Sequence, residues 1–265
     1  MPSQQLNDIK TRSHATMRSI VALILREMST RYGDKPGGYI WAVLEPLGAI
    51  VIMSIAFSLL LRSPSLGNSF ILIYAAGFLP FSIYQAVSNM VARSLNFSRP
   101  LLFYPSVTWL DAILARAILN MLTGFLITYL LLFGIIMMTD TAVVLKIVPL
   151  FSAMVLAALL GFGIGCMNCF LMGLIPTWDI VWAIATRPLF IISGVIFIYE
   201  DMPRNIQSIL WYNPLMHITG LMRTGVYPMY SPDYISYVYV LGFALLPTLL
   251  GLLLLRRYYR DILNA

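Results

Sequence analysis

Charged residues are scarce in this sequence, making up 11% of 265 residues against about a quarter in soluble domains. Hydrophobic residues reach 60% and the mean hydropathy is +0.84, so the chain is an integral membrane protein. It has room for about six spans of some 20 residues each and none left for a soluble catalytic domain. His14 and His217 are the only histidines, which leaves neither a metal site nor a Ser-His-Asp triad easy to build. Cys166 and Cys169 are the only cysteines and stand three apart inside an apolar run. Without a second pair, this C-x-x-C reads as helix packing. There is no G-x-x-x-x-G-K-[ST] and no H-E-x-x-H, so ATP is not cradled in the P-loop manner and the chain is read as a non-enzyme without a cofactor of its own. The fragment Gly161-Phe162-Gly163-Ile164-Gly165 has neither the strand nor the exposed turn that a nucleotide loop needs. Buried carboxylates are short too: only Glu45 falls at depth, which disfavours a proton relay.

What is present begins with a basic amphipathic stretch, Arg18 to Pro46, running into the first span. On a helix Met17, Ile20, Val21, Ile24, Leu25, Met28 and Tyr32 fall on one arc and Arg18, Arg26 and Ser29 on the other, the pattern of a helix lying in the membrane interface. Residues 1–37 are therefore read as an amino-terminal segment with this helix, and 38–265 as an all-α membrane domain. Its spans are predicted near 38–61, 69–92, 111–138, 147–171, 180–198 and 234–255. Tyr39 and Trp41 anchor the first. Arg93 to Asp111 interrupts the hydrophobic signal with arginines and prolines and is predicted to be a loop holding a short helix. Ala157, Gly161, Gly165 and Cys169 recur every fourth residue, a small-residue stripe that admits a second helix closely. Residues 199–233 are intermediate in hydropathy, with Asn213-Pro214 breaking an amphipathic run, which suits helix, break and helix dipping into the outer leaflet.

Residues 1–16 are polar and form no secretory signal. Of 17 Lys and Arg, all but Arg62, Lys146, Arg204 and Arg223 fall on one predicted side, which orients both termini to the cytoplasm. The net charge of +6 is accounted for by that asymmetry, and no nucleic acid is expected.

Four stretches carry a family likeness: LILREMSTRYGDKPGGYIWAVLEP (Leu23 to Pro46), LPFSIYQAVSN (Leu79 to Asn89), LLFYPSVTWLDAILAR (Leu101 to Arg116), and RPLFIISGVIF through MPRNIQSILWYNPLMH (Arg187 to His217). In this order they resemble the inner-membrane permease of ABC-type capsular polysaccharide exporters of the polysialic-acid, group 2 kind. That ABC-2 class also holds O-antigen and teichoic-acid exporters. The resemblance implies a homodimer in a Gram-negative inner membrane and two copies of a separate ATPase that binds the ATP and magnesium. It further implies a periplasmic co-polymerase or adaptor, an outer-membrane export protein, and a lipid-linked polysaccharide as cargo. The family's gate helix falls at about Arg12 to Tyr32, and its coupling helix, which docks on the ATPase, within 93–111.

On that reading Arg26, Arg31, Arg93, Arg99, Phe103, Tyr104 and Asp111 form the ATPase interface, with Phe97 and Trp109 as further aromatic anchors. Trp41, Glu45, Phe78, Phe81, Tyr84, Arg116, Trp178, Trp182, Arg187 and Phe190 are candidates for the polymer path: aromatic faces for sugar rings, arginines for anionic sugars or a lipid phosphate. Trp211, Tyr212, Asn213, Pro214, His217 and Arg223 form an outer gate. Glu45 either relays protons, satisfies backbone at the Pro46 kink or pairs with Arg116. The rivals are another ABC-2 exporter permease, a proton-driven carrier using Glu45, and a membrane-embedded transferase.

Overall fold

A computed structural model describes residues 16–30, 38, 40–102, 107–139 and 144–264. Arg31, Tyr32, Tyr39, Phe103, Tyr104 and the beginning of the expected gate helix from Arg12 lie outside the described residues. All regular elements described are helical: α1 (16–30), α2 (Ile40–Leu60), α3 (Phe70–Ala92), α4 (Ser94–Ser98), α5 (Trp109–Met138), α6 (Ile147–Leu174), α7 (Trp178–Ile192), a 3-10 turn (Tyr199–Asp201), α8 (Arg204–Leu210), α9 (Pro214–Val226) and α10 (Tyr237–Asn264). Five of them, α2, α3, α5, α6 and α10, are long and apolar enough to cross a membrane. In hydrocarbon a helix satisfies all its own backbone groups, which is why uninterrupted apolar runs resolve into this one element type.

The centre is α6. Its small-residue stripe meets α3: a Cβ on Gly161 would lie 2.7 Å from the Tyr84 carbonyl oxygen, and one on Gly165 2.7 Å from Val91 Cβ. On another face Gly163 meets α10 at Ala244 and Thr248, and Gly251 of α10 answers at Cys166 and Met167. The third neighbour of α6 is α9, which is buried along nearly its whole length. Farther out, α5 packs on α3, α2 leans on α3, and α7 touches α6 only sparsely.

Local signals place several boundaries. Thr108 and Asp111 form a reciprocal capping box at the start of α5. Asn213 caps α9, its side chain accepting from the Leu215 N–H at 3.1 Å with Pro214 in the first turn. The expected short helix in the 93–111 loop is α4, and the expected helix, break and helix is α8, Trp211–Asn213 and α9. Two expectations change. The fifth span, predicted to Ile198, stops as a helix at Ile192, because Ser193 leaves the helical region and Gly194 turns the chain at φ +70. The arginines Arg256, Arg257 and Arg260 end the apolar stretch but not the helix, and α10 runs on to Asn264.

Candidate functional site

The outward face of α3 carries Ser82, Gln85 and Asn89 at helical spacing, while Ile83, Tyr84, Val87 and Val91 face inward. Gln85 and Asn89 are exposed and make no hydrogen bond among the described residues. An amide left so in hydrocarbon is costly, so this face meets water or polar matter rather than lipid tails. Two clefts flank the ridge, and both amides border both. One, of about 380 Å³, lies between α3, α2 and α5 and is lined by Glu45, Phe78, Asn120 and Thr123 among others. The second, of about 510 Å³, lies between α3 and α7 and is lined by Phe81, Trp182, Thr186, Arg187 and Phe190. Phe190 meets Phe81 and Phe78 edge-on at 5.4 and 6.3 Å. The second cleft is spanned at one rim by Arg93 of the α3 end and Asp179 of α7, 2.9 Å apart. Both side chains are at least half exposed, and such a pair adds at most about 1 kcal/mol. Asp179→Asn is therefore expected to shift the melting temperature of the purified protein by no more than about 3 °C; a larger fall in differential scanning fluorimetry would make the pair a structural bolt.

Around the loop after α3 the helices are tied together by a buried ionic hub. Arg116 of α5 donates from Nε to Glu27 of α1 at 3.1 Å, with side-chain exposures of 7% and 6%, and from Nη1 to the Met90 carbonyl of α3 at 3.2 Å. Its guanidinium stands 4.0 Å from the centroid of the Phe97 ring of α4, and Arg26 of α1 approaches the same ring at 5.4 Å. The loop is also clasped to α10, through Arg99 Nη2 donating to the Leu263 carbonyl at 2.7 Å and Trp109 stacked on Tyr259 at 6.1 Å. The α1 face that meets the protein carries Leu23 and Glu27, while the apolar Met17 and Leu25 stay 71% and 61% exposed. That exposed arc is free for an acyl boundary, as its pattern predicts.

At the opposite end Arg223 is fully buried and donates to the Phe197 and Val195 carbonyls at 3.0 and 3.4 Å, holding the turns and bends that follow α7. The buried His217 bonds the Trp211 carbonyl through Nε2 at 2.7 Å, and its Nδ1 accepts the Ser236 N–H at 3.2 Å. These two bonds require the neutral Nε2–H tautomer. Trp211 packs edge-on to Tyr212 and to the His217 ring. Beyond them Tyr199 stacks on Tyr234 at 4.1 Å, and Tyr230 donates to Glu200 at 2.8 Å. Burial raises the Tyr230 hydroxyl and pushes that of Tyr234 up to about 12, so both hydroxyls stay protonated.

Several expected roles change on this geometry. Arg116 does not pair with Glu45: its acid is Glu27, and the pair is sealed against α1 instead of lining a cleft. Trp178 donates to Asn168 of α6 at 2.9 Å, bracing the α6–α7 turn instead of the path, whereas Tyr84, though largely buried, lines a small recess with Gln85, Asn89 and Trp182. Trp41 is exposed at the start of α2 and borders neither cleft. Phe78, Phe81, Trp182, Arg187 and Phe190 do line clefts, as does Glu45. Arg187 lies within α7, not at its end, at about 14 Å from Trp178. Asp111 is buried in its capping box and offers no partner contact. Arg93 and Arg99 are already engaged by Asp179 and Leu263. Arg223 and His217 are inward and structural, whereas Tyr212 is exposed. Glu27, Gln85 and Asn89 are the residues that sequence reasoning did not put in a site. The polar spacing on α3 is the one signal that pointed to the amides.

A multi-span helical bundle with a polar, two-sided groove and a braced loop at one end defines a membrane-embedded transport protein. The chain belongs to the ABC-2 type transporter family, whose model matches residues 18–227. It is 31% identical over 247 residues to the polysialic acid transport protein KpsM of Escherichia coli, covering 93% of this chain and 96% of that protein. It is 26% identical over 248 residues to the capsule polysaccharide export inner-membrane protein BexB of Haemophilus influenzae, and 24% over 245 residues to CtrC of Neisseria meningitidis. Both matches cover 92% of each chain.

Proposed function

We propose that this chain is the permease subunit of an ATP-driven exporter that carries lipid-linked capsular polysaccharide outward across the bacterial inner membrane. The observation that carries the reading is the amide ridge of α3, unpaired among the described residues, between two clefts, in a chain whose relatives along nearly their full length are named for polysialic acid transport or capsule polysaccharide export. A hydroxylated polymer needs such a path: polar groups that exchange hydrogen bonds with water, aromatic faces for sugar rings, and no deep trap.

In this reading the chain works as a homodimer on two copies of an ABC ATPase, which binds ATP and magnesium, with both termini cytoplasmic. A periplasmic adaptor and an outer-membrane export protein continue the route. At about 22 Å, α7 is shorter than the hydrocarbon core, and in this reading it makes the sixth crossing together with the irregular run of turns and bends to Ile198. Then α8 and α9 form a re-entrant pair at the periplasmic side. The loop 93–111 takes the push of the closing ATPase and passes it to α1 through Phe97 and Arg116. The test is export of labelled polymer by vesicles holding this chain, with and without the ATPase. Export that needs both proteins and ATP is expected; transport by this chain alone, driven by a proton gradient, would overturn the reading and point to Glu45.

A further inference from the structure

We propose that Arg187, with the side-chain amides of Gln85 and Asn89, forms an anion-binding subsite in the α3–α7 cleft that takes the carboxylate or phosphate groups of the exported polymer. The inference rests on the cleft being part of the export path.

Arg187 stands within α7, exposed, bordering the cleft of about 510 Å³, and forms no ion pair among the described residues. A cation at that depth is costly unless an anion or water meets it. Among the described residues none supplies a free anion there. The one acid lining this cleft is Asp179, and Arg93 holds it at 2.9 Å. Glu45 lines the cleft on the other flank of α3. Among the described residues the cleft thus keeps one uncommitted positive charge, and two amides without a hydrogen-bond partner line it as well.

Donor chemistry narrows the ligand. Guanidinium presents a planar fork matched to carboxylate and phosphate, and each amide adds an N–H₂ donor and a carbonyl acceptor for sugar hydroxyls. Trp182 and Phe190 line the same cleft and offer faces to sugar rings. A cleft of this size falls within the range of small-ligand sites. An acidic sugar unit satisfies the whole set, and so does a phosphate-bearing end of the polymer. One charge flanked by neutral donors holds an anion without trapping it, as a moving chain requires.

The test uses the complete permease–ATPase complex in nanodiscs, with binding followed by microscale thermophoresis. Three probes are compared: a sialic acid hexamer, the same hexamer with its carboxyl groups reduced to alcohols, and dihexanoyl phosphatidylglycerol. The wild-type complex is expected to bind at least one charged probe about tenfold or more tightly than the reduced hexamer. Arg187→Gln is expected to abolish that preference while leaving affinity for the reduced hexamer unchanged. Preference for the hexamer places the carboxylate of the repeat in the subsite, and preference for the lipid places the phosphate there. Arg187→Lys keeps the charge without the fork and is expected to weaken only the charged probe, about threefold; it carries the test if the glutamine variant does not assemble. Retained preference in Arg187→Gln, or equal loss for charged and reduced probes, overturns the subsite and leaves the path standing. A wild-type complex that binds neither sugar overturns the path and the subsite with it.

Discussion

Glu27→Ala is expected to cost about 3 kcal/mol of stability and to reduce export below a tenth of wild type while the ATPase still binds. The glutamate and Arg116 are both almost sealed from solvent and joined at 3.1 Å, and removing one member strands the other's charge in a low-dielectric site. The loss should reach function because Arg116 joins four helices at one point: α1 through Glu27, α3 through the Met90 carbonyl, α4 through the Phe97 ring, and its own α5. An α1 that no longer grips this hub cannot follow movement of the loop. Glu27→Gln keeps an acceptor for the guanidinium and should lose about half as much. The swap of Glu27→Arg with Arg116→Glu is the decisive variant, since a pairwise interaction recovers part of the loss that either single change produces. Thermal melting of the detergent-purified protein and polymer export in cells measure the two effects. Single changes whose effects simply add would show that Glu27 and Arg116 act separately.

That hub shows where sequence reading stops. The apolar runs announced α2, α3, α5 and α6 to within a few residues, because in a bilayer length and hydropathy alone determine a span. The stripe of Gly161 and Gly165 announced a close helix, and α3 supplies it. Glu27 announced nothing: its partner stands 89 residues on, in a different helix, and Glu45 looked the better match because it lies at depth. The end of α7 was equally hidden, since 191–198 is mostly apolar and the helix breaks through the backbone of Ser193 and the left-handed Gly194. Arg223 and His217 read as members of an outer gate, polar groups in an amphipathic run. The partners of Arg223 are backbone carbonyls 26 and 28 residues back, and His217 joins the nearby Trp211 carbonyl to the Ser236 N–H 19 residues on, pairings that no local pattern encodes. The amides of α3 were visible as polar, yet their role emerged only once α2, α5 and α7 were placed around them.

The second large effect is expected at Gly163. Alanine in place of a helix-interior glycine ordinarily gains up to about 1 kcal/mol, and at Gly134 of α5, where a Cβ would meet nothing within 4 Å, that gain is expected. At Gly163 the sign should reverse. A Cβ there would press on the Ala244 carbonyl oxygen and sit 2.6 Å from Thr248 Oγ1, and from the α10 side Gly251 already stands with its Cβ position 2.7 Å from the Met167 nitrogen. Helix backbone meets helix backbone, so there is no flexible side chain to yield, and α6 cannot retreat because Gly161 holds it as tightly against the Tyr84 carbonyl on α3. Gly163→Ala is therefore expected to cost about 1–3 kcal/mol, as overpacking of a filled core does, and Gly163→Leu to abolish the folded protein. Melting temperatures of Gly134→Ala and Gly163→Ala, measured side by side in the same detergent, give the answer; a stabilised Gly163→Ala would mean that α6 and α10 are not in backbone contact. The functional consequence follows from the same geometry. With α6 wedged between α3 and α10, the inward face of α3 is held by close backbone packing, and its opposite, amide-bearing face forms the wall that the two clefts share.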